Sequence, residues 1–555
     1  MASHAPATHN EALAQIYARY DQAISSGDFL PFVYPWGSFG ALACFLYLLI
    51  PHFNSPVLKG LRFPVWAFNA YCSIYAILYC RARNMAPAFG VGLISSWSLL
   101  WTFTLLVVHD AQTDFARIER TEGACARLRN TGSATANGAA LKDKPHDDSL
   151  TVSTIKDADL AAEQKKLGTT AGPAQRTGIF AWQHFPLSPF IERLDWVADV
   201  FCNFRGMGWN WRIPGLAPPP RWVQQQLHAN SGTPAPDDTT TSDETHIGLD
   251  GTHQPQTRRE ALFASLRTLV TGYLILDFLK VIVLHDPYFW GVIDAPPPTF
   301  LPVLIRTSPT LTRIYRLLIT LNAIKWALTS IFALAPLFFL GILGPRAIGA
   351  RASPWMYPST FGSYTTVLDK GLGGWWGSWW HQTFRFAFSS PSQKLAGRLG
   401  LPRRHPLTKL LHLSTAFLLS GLLHAAGSTT QSGATHPLSG PLLFFASQPL
   451  GIALQLLLAS LLRRAGVVTP RTPRALRQLG NFLYVHAWFF ATAPLLADDF
   501  ARGGIWLFEP VPLSPLRALG LGDADSGWNC WKGKAGADWV RWHQGKRWWE
   551  SGIAF

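Results

Sequence analysis

The run Leu407–Ser428 (LTKLLHLSTAFLLSGLLHAAGS) most constrains what this chain can fold into. A helix needs roughly 20 predominantly apolar residues to cross the hydrocarbon layer of a bilayer. This run has that length, and its one charged residue, Lys409, stands near its start. Lipid offers no partner for backbone N–H and C=O groups, so the run must satisfy them internally, as a helix. His424 lies inside it. An ionisable ring is costly to bury there and marks a functional site by default; the alternative is a histidine bonded to a neighbouring helix as polar glue. At helical spacing Ser414, Phe417, Ser420 or Gly421, His424, and Gly427 or Ser428 share one face, and leucines surround the rest. His424 therefore belongs to a small, polar stripe suited to a cavity wall or a close helix contact. It sits roughly 9 Å from the midpoint of the run at 1.5 Å per residue.

Only 15% of the 555 residues are charged, against about 25% in an ordinary soluble domain. With 24 Trp and 35 Phe, the composition predicts an all-α, polytopic membrane protein whose aromatic side chains form interfacial belts. Hydropathy predicts eight spans, near 32–51, 61–80, 87–108, 262–285, 316–344, 408–428, 439–462 and 479–497, with a ninth, re-entrant element possible over 372–390. The expected architecture is a bundle of eight or nine transmembrane helices around an internal reaction chamber. The net charge of +15 does not point to nucleic acid, because Lys and Arg flank the apolar runs, where they set topology and attract anionic lipid. Six scattered cysteines form no C-x-x-C pair, so free thiols and no metal site are expected. A polar segment precedes the first apolar run, which reads as an uncleaved anchor.

The basic loops after the fifth and seventh runs are expected in the cytosol, and the uncharged connector STTQSGATHP in the lumen. The expected organisation is a polar segment 1–30, three helices over 31–110, a cytosolic loop 111–261, a core 262–500 and a Trp-rich tail 501–555. Within the loop, 121–178 and 228–258 are rich in small and polar residues and are expected to be disordered, on either side of an ordered island at 179–222.

A second constellation lies upstream of His424, in GGWWGSWWHQTFR. Trp375, Trp376, Trp379 and Trp380 repeat at i, i+4 and would stack on a helix. His381, Gln382 and Arg385 follow them, a polar group that an aromatic belt does not explain. Asp277 and Lys280 lie within one helical turn and are expected to pair with each other, while Gln448 and His486 read as interhelical bonds. The chain has no phosphate-binding loop, zinc-protease helix or nucleophile elbow.

The order of these motifs carries a resemblance. Arg205–Trp211 (RGMGWNW) precedes Asp286–Phe289 (DPYF), then Phe361-Gly362-Ser363, then the WHQ-x-x-R stretch, then a histidine in the following span. Over roughly 180–500 the chain resembles the wax-synthase-like branch of the membrane-bound O-acyltransferases of fungal natural-product pathways. That resemblance implies acyl transfer from acyl-CoA, most simply acetyl-CoA, to a hydroxyl of a hydrophobic, terpenoid-type acceptor, in the endoplasmic reticulum membrane and with no tightly bound cofactor. It implies His424 and His381 as the catalytic positions. Where relatives carry Arg before the Trp-His pair, this chain has Ser378. Gln382, Arg385, Trp380, Trp376 and Ser420 are the expected substrate-binding set, with Arg385, Arg403 and Arg404 as candidates to meet the CoA phosphates. In the mechanism expected, neutral His424 takes the acceptor proton, and His381, Gln382 or a backbone N–H stabilises the oxyanion. Long-chain wax ester synthesis, and a proton-coupled transporter using His424 and Asp277, are the competing readings.

Overall fold

A computed structural model describes residues 5–124, 179–231, 246–402, 404–522, 527–531 and 540–555. Most of the two segments expected to be disordered, along with Cys125 and Arg403, lies outside the described residues. The margins within them are built: Arg221–Ser231 is helical, and 246–254 forms a turn in which buried Asp250 accepts from the backbone and hydroxyl of Thr252 at 2.9 and 2.6 Å. A local hydrogen-bond network there supplies what composition did not show. The five described cysteines are free thiols.

The chain is mostly helical and divides into two compact units, one of Met1–Ala111, Leu266–Leu334 and Thr360–Phe555, the other of Gln112–Ser265 and Ala335–Ser359. Four helices are long and apolar enough to cross a membrane: Met85–Val108, Pro309–Ala352, Pro406–Thr429 and Leu438–Arg464. Arg474–Thr492 and Pro494–Gly503, bent by 43° at their junction, make a fifth if counted as one span. These helices mark an integral membrane protein. The eight expected spans are not reached by this criterion among the described residues, for identifiable reasons. The first run is a short helix within Trp36–Leu48. The second, Arg62–Tyr79, is tempered by Arg62, Asn69 and three tyrosines. The fourth, Arg258–Leu284, carries Arg267, Asp277 and Lys280 in its apolar part.

In the first unit, small residues let helices approach. A Cβ on Gly92 would lie 1.9 Å from the carbonyl oxygen of Ala426, and one on Gly427 would lie 2.6 Å from the Phe89 ring. The Thr430 hydroxyl closes the same seam, donating to Ala88 O at 2.7 Å and accepting from Gly92 N at 3.1 Å. The Asp-Pro-Tyr-Phe motif is a buried brace: Asp286 receives both Nε and Nη2 of Arg316 at 3.1 and 2.9 Å and caps Tyr288 N, and the Tyr288 hydroxyl donates to Asp498 at 2.7 Å. The ends of the chain join in one small sheet, with Val33–Tyr34 and Arg541–His543 flanking Gly552–Ala554, all antiparallel.

The second unit is organised by buried charge. Strand Arg117–Arg120 pairs antiparallel with Phe180–Gln183. Arg117, 1% exposed, donates to Asp195, Asp199 and Gln183 at 2.7, 3.1 and 2.7 Å. The RGMGWNW block turns through positive φ at Gly206 and Gly208. A Cβ at Gly208 would also meet the Met356 methyl at 2.7 Å, so glycine is required twice over there. Arg205 donates to the carbonyls of Pro358 and Ser359 at 3.1 and 3.0 Å, and burial lowers its guanidinium to about 10.

Candidate functional site

The site lies wholly in the first unit, where the Trp-rich turn meets the helices Pro406–Thr429 and Leu443–Arg464. Pro406 opens the His424 helix, a position where its missing N–H costs nothing, and the ring nitrogen of His405 caps Leu407 N at 3.3 Å. One turn before His424, the carbonyl of Ser420 lies 2.8 Å from His424 Nδ1. A carbonyl only accepts, so the proton is on Nδ1 and Nε2 keeps its lone pair. Nε2 has no hydrogen bond among the described residues. The Phe445 ring lies over the imidazole, centroids 4.4 Å apart. His424 is therefore a neutral base with a fixed ring and one open acceptor nitrogen.

The tryptophans form a π-helical turn, Trp375–Trp379, and the chain leaves it extended at Trp380. Wide turns of this kind cluster at functional sites. Trp375 and Trp379 pack at 4.2 Å and Trp376 and Trp380 at 6.2 Å. Gln382 staples the turn, giving its two amide hydrogens to Trp376 O and Trp380 O at 2.8 and 2.6 Å. Its oxygen accepts from Arg385 Nη1 at 3.0 Å, and the same nitrogen reaches Gly377 O at 2.9 Å. These contacts engage Gln382 and Arg385 in shaping the loop. His381 is set among rings: Trp380 at 5.5 Å, Phe384 at 5.7 Å, Phe361 at 6.1 Å and Phe332 at 6.4 Å. Phe361 belongs to the Phe-Gly-Ser motif, whose Gly362 N donates to Trp379 O at 3.0 Å.

A run of rings links the two histidines. From His424 it passes to Phe445, then to Trp376 at 5.8 Å, to Trp380, and to His381. Gln448 anchors the middle. It is fully buried, its oxygen accepts from the indoles of Trp376 and Trp488 at 3.1 Å each, and its nitrogen donates to Phe444 O at 2.8 Å. Sequence reasoning left Gln448 as one interhelical bond among several and passed over Phe445, because a phenylalanine in an apolar run reads as core. The usable signal for Gln448 was a lone amide in such a run.

Of the other intramembrane candidates, Asp277 and Lys280 lie elsewhere. Asp277 and Lys280 do not pair with each other. Asp277 accepts from Ser514 Oγ and Leu516 N, while Lys280 donates to Trp506 O and Leu507 O at 2.7 and 3.1 Å. Both point at the segment after Gly504, which offers carbonyls and hydroxyls at closer range. His486 hydrogen-bonds Phe482 O at 2.8 Å, and its ring lies edge-on to Trp375 of the Trp-rich turn, centroids 6.5 Å apart. A cavity of about 300 Å³ opens between Phe32, Asn69, Cys72, Val91 and Phe555, with neither His424 nor His381 in its wall.

Residues 357–447, which hold the Trp-rich turn, His381 and His424, match the model of the Membrane bound O-acyl transferase family. The resemblance carried by the motif order is thus found independently over the segment that builds the site. Curated relatives agree. The acetyltransferase aurG of Calcarisporium arbuscula is 32% identical over 161 residues, 29% of this chain and 38% of that protein. The acetyltransferase ataH of Aspergillus terreus is 32% identical over 182 residues, 31% and 56% of the two chains. The O-Mevalon transferase yanI of Aspergillus niger is 27% identical over 283 residues, 48% and 53%. The chain thus covers less than two thirds of each of these relatives. No solved structure matches it.

Proposed function

We propose that this protein is a membrane-bound O-acyltransferase that moves an acetyl group from acetyl-CoA to the hydroxyl of an apolar, terpenoid-type alcohol at the endoplasmic reticulum membrane. The observation that carries the reading is the His424 tautomer. With Nδ1–H held by Ser420 O, Nε2 is the acceptor an alcohol needs as its oxygen attacks the thioester carbonyl. The C–O bond forms as the hydroxyl proton passes to Nε2. The tetrahedral oxyanion then collapses, the C–S bond breaks, and imidazolium returns the proton to the departing CoA sulfur. His381, linked to His424 through the ring path, is the second catalytic residue of this reading. Gln382 and Arg385 hold the loop that carries it, Trp376 and Trp380 wall the space between, and the Ser420 carbonyl fixes the base. Acetyl is favoured over long chains because relatives named acetyltransferases match this segment.

The test is acyl transfer by membranes containing the full chain, with labelled acetyl-CoA and labelled palmitoyl-CoA offered against a panel of apolar alcohols. Acetylated product is expected. Preference for palmitoyl would replace this reading with wax ester synthesis, and labelled product from neither donor would remove the acyltransferase assignment.

A further inference from the structure

Beyond His424, at the end of the same helix, a buried group of side chains keeps polar atoms unsatisfied. Ser428 and Gln431 occupy the i+4 and i+7 positions from His424, neighbours on one helical face, although Gln431 lies just past the helix end at Thr429. Ser428, Gln431 and Asp499 are 0%, 4% and 2% exposed. Both amide atoms of Gln431 lack a hydrogen-bond partner among the described residues, and the Ser428 hydroxyl and Oδ2 of Asp499 have none but each other.

Their surroundings bring them together. Asp499 and Gly503 are one turn apart on helix Pro494–Gly503, and a Cβ on Gly503 would lie 2.2 Å from the Gln431 amide oxygen. The Ser428 hydroxyl is turned toward the Asp499 carboxylate as a donor to it. The other carboxylate oxygen of Asp499 is fixed by His436 N at 2.5 Å, and the Thr435 hydroxyl ties the connector to Ser428 O at 3.0 Å.

Buried polar groups find partners as a rule, and a cluster of exceptions calls for an explanation. The group presents a carboxylate oxygen, an amide oxygen, an amide NH₂ and a hydroxyl. An anion would be repelled by Asp499, and a cation would meet the NH₂ of Gln431. A hydroxyl, which donates and accepts at once, matches the set.

We infer that Ser428, Gln431 and Asp499 form a second subsite, which recognises a hydroxyl of the acceptor roughly 6–10 Å along the helix from the one that reacts, taking 1.5 Å of rise per residue. The inference rests on the acyl-transfer reading of His424 and adds a substrate class to it: a rigid, apolar diol.

The test uses the full chain in detergent with a steroid 3,17-diol and the matching 3-ol. Thermal melting reports binding, and transfer from labelled acetyl-CoA reports reaction. The diol is expected to raise the melting temperature of the wild type, and the mono-ol to bind at least roughly tenfold more weakly, as sites built around a hydroxyl discriminate. Gln431→Leu and the near-isosteric Asp499→Asn are each expected to erase that difference, and either variant suffices. Without ligand, Gln431→Leu is expected to melt no lower than wild type, because it removes unpartnered buried polar atoms; a merely structural glutamine would lower it. His424→Gln is expected to keep the diol shift while acetyl transfer falls about 100-fold or more. A wild type that melts alike with diol and mono-ol, or subsite variants that keep the diol preference, would overturn the subsite. A wild type that binds the diol but acetylates nothing would sink the acyl-transfer reading and leave the subsite standing.

Discussion

Replacing Gln448 with leucine separates positioning from stability. The side chains have similar volume, so the change opens little cavity; it takes one acceptor from two half-buried indoles, each 3.1 Å away. A buried donor left unpaired costs about 1–3 kcal/mol in water-soluble cores, but interhelical hydrogen bonds in membranes average about 0.6 kcal/mol. Two bonds on the membrane scale give about 1–2 kcal/mol. A protein of ordinary stability, about 5–15 kcal/mol, stays folded after that loss. Activity is another matter. Trp376 is packed at 5.5 Å on Phe417 and 5.8 Å on Phe445, and Phe445 lies 4.4 Å from the His424 ring. Misplacing a reacting group by about 1 Å can cost about 100-fold in rate. Gln448→Leu is therefore expected to lower the melting temperature modestly while kcat for acyl transfer falls about 10–100-fold. Melting curves and initial rates on the same detergent preparation measure both. Activity within twofold of wild type, or a fall no larger than the loss of folded protein, would refute the reasoning.

Other contacts give sharper stability effects. Gly92→Val would drive a side chain onto the Ala426 carbonyl, backbone that cannot step aside, and should cost about 3 kcal/mol or prevent accumulation; Gly377→Ala, with open space around it, should melt near wild type. Asp286→Asn breaks a buried bidentate pair with Arg316 and should cost about 3–5 kcal/mol, read from the melting temperature. Asp110 supplies a pH dependence. Burial raises its carboxyl, but the hydrogen bond from His52 and the charges of His52, Lys59 and Arg62 outweigh it, and the net pKa lies below the ordinary 3.8. A depressed carboxyl contributes stability above its unfolded value and loses it as pH falls through the folded one. Melting temperature should therefore drop on acidification below about pH 4, and Asp110→Asn should flatten that part of the profile.

What the sequence made legible follows from how each residue signals. His424 was visible because one polar side chain stood out in an apolar run, and the Trp-rich turn because composition marked it. Helical spacing correctly related Ser420 to His424, although the contact runs through the Ser420 carbonyl rather than its hydroxyl. Gln382 and Arg385 were recognised as unusual, but a linear pattern does not reveal that backbone carbonyls occupy the Gln382 amide. Local spacing also misled at Asp277 and Lys280, where groups more than two hundred positions away offer better geometry than the neighbouring turn. Phe445, Gln448 and Asp499 matter through partners distant in sequence, and nothing in their own neighbourhoods announces them. By length and apolarity alone, four or five helices qualify as spans among the described residues, because other apolar runs are short or carry charges.

The central claim is that the open Nε2 of His424 is the base for acyl transfer. The direct measurement compares His424→Gln with wild type at equal membrane abundance, following labelled acetyl from acetyl-CoA into product. A loss of about 100-fold to 10,000-fold is predicted, the usual worth of general-base catalysis, with little change in melting temperature. Wild-type turnover in His424→Gln would contradict the account.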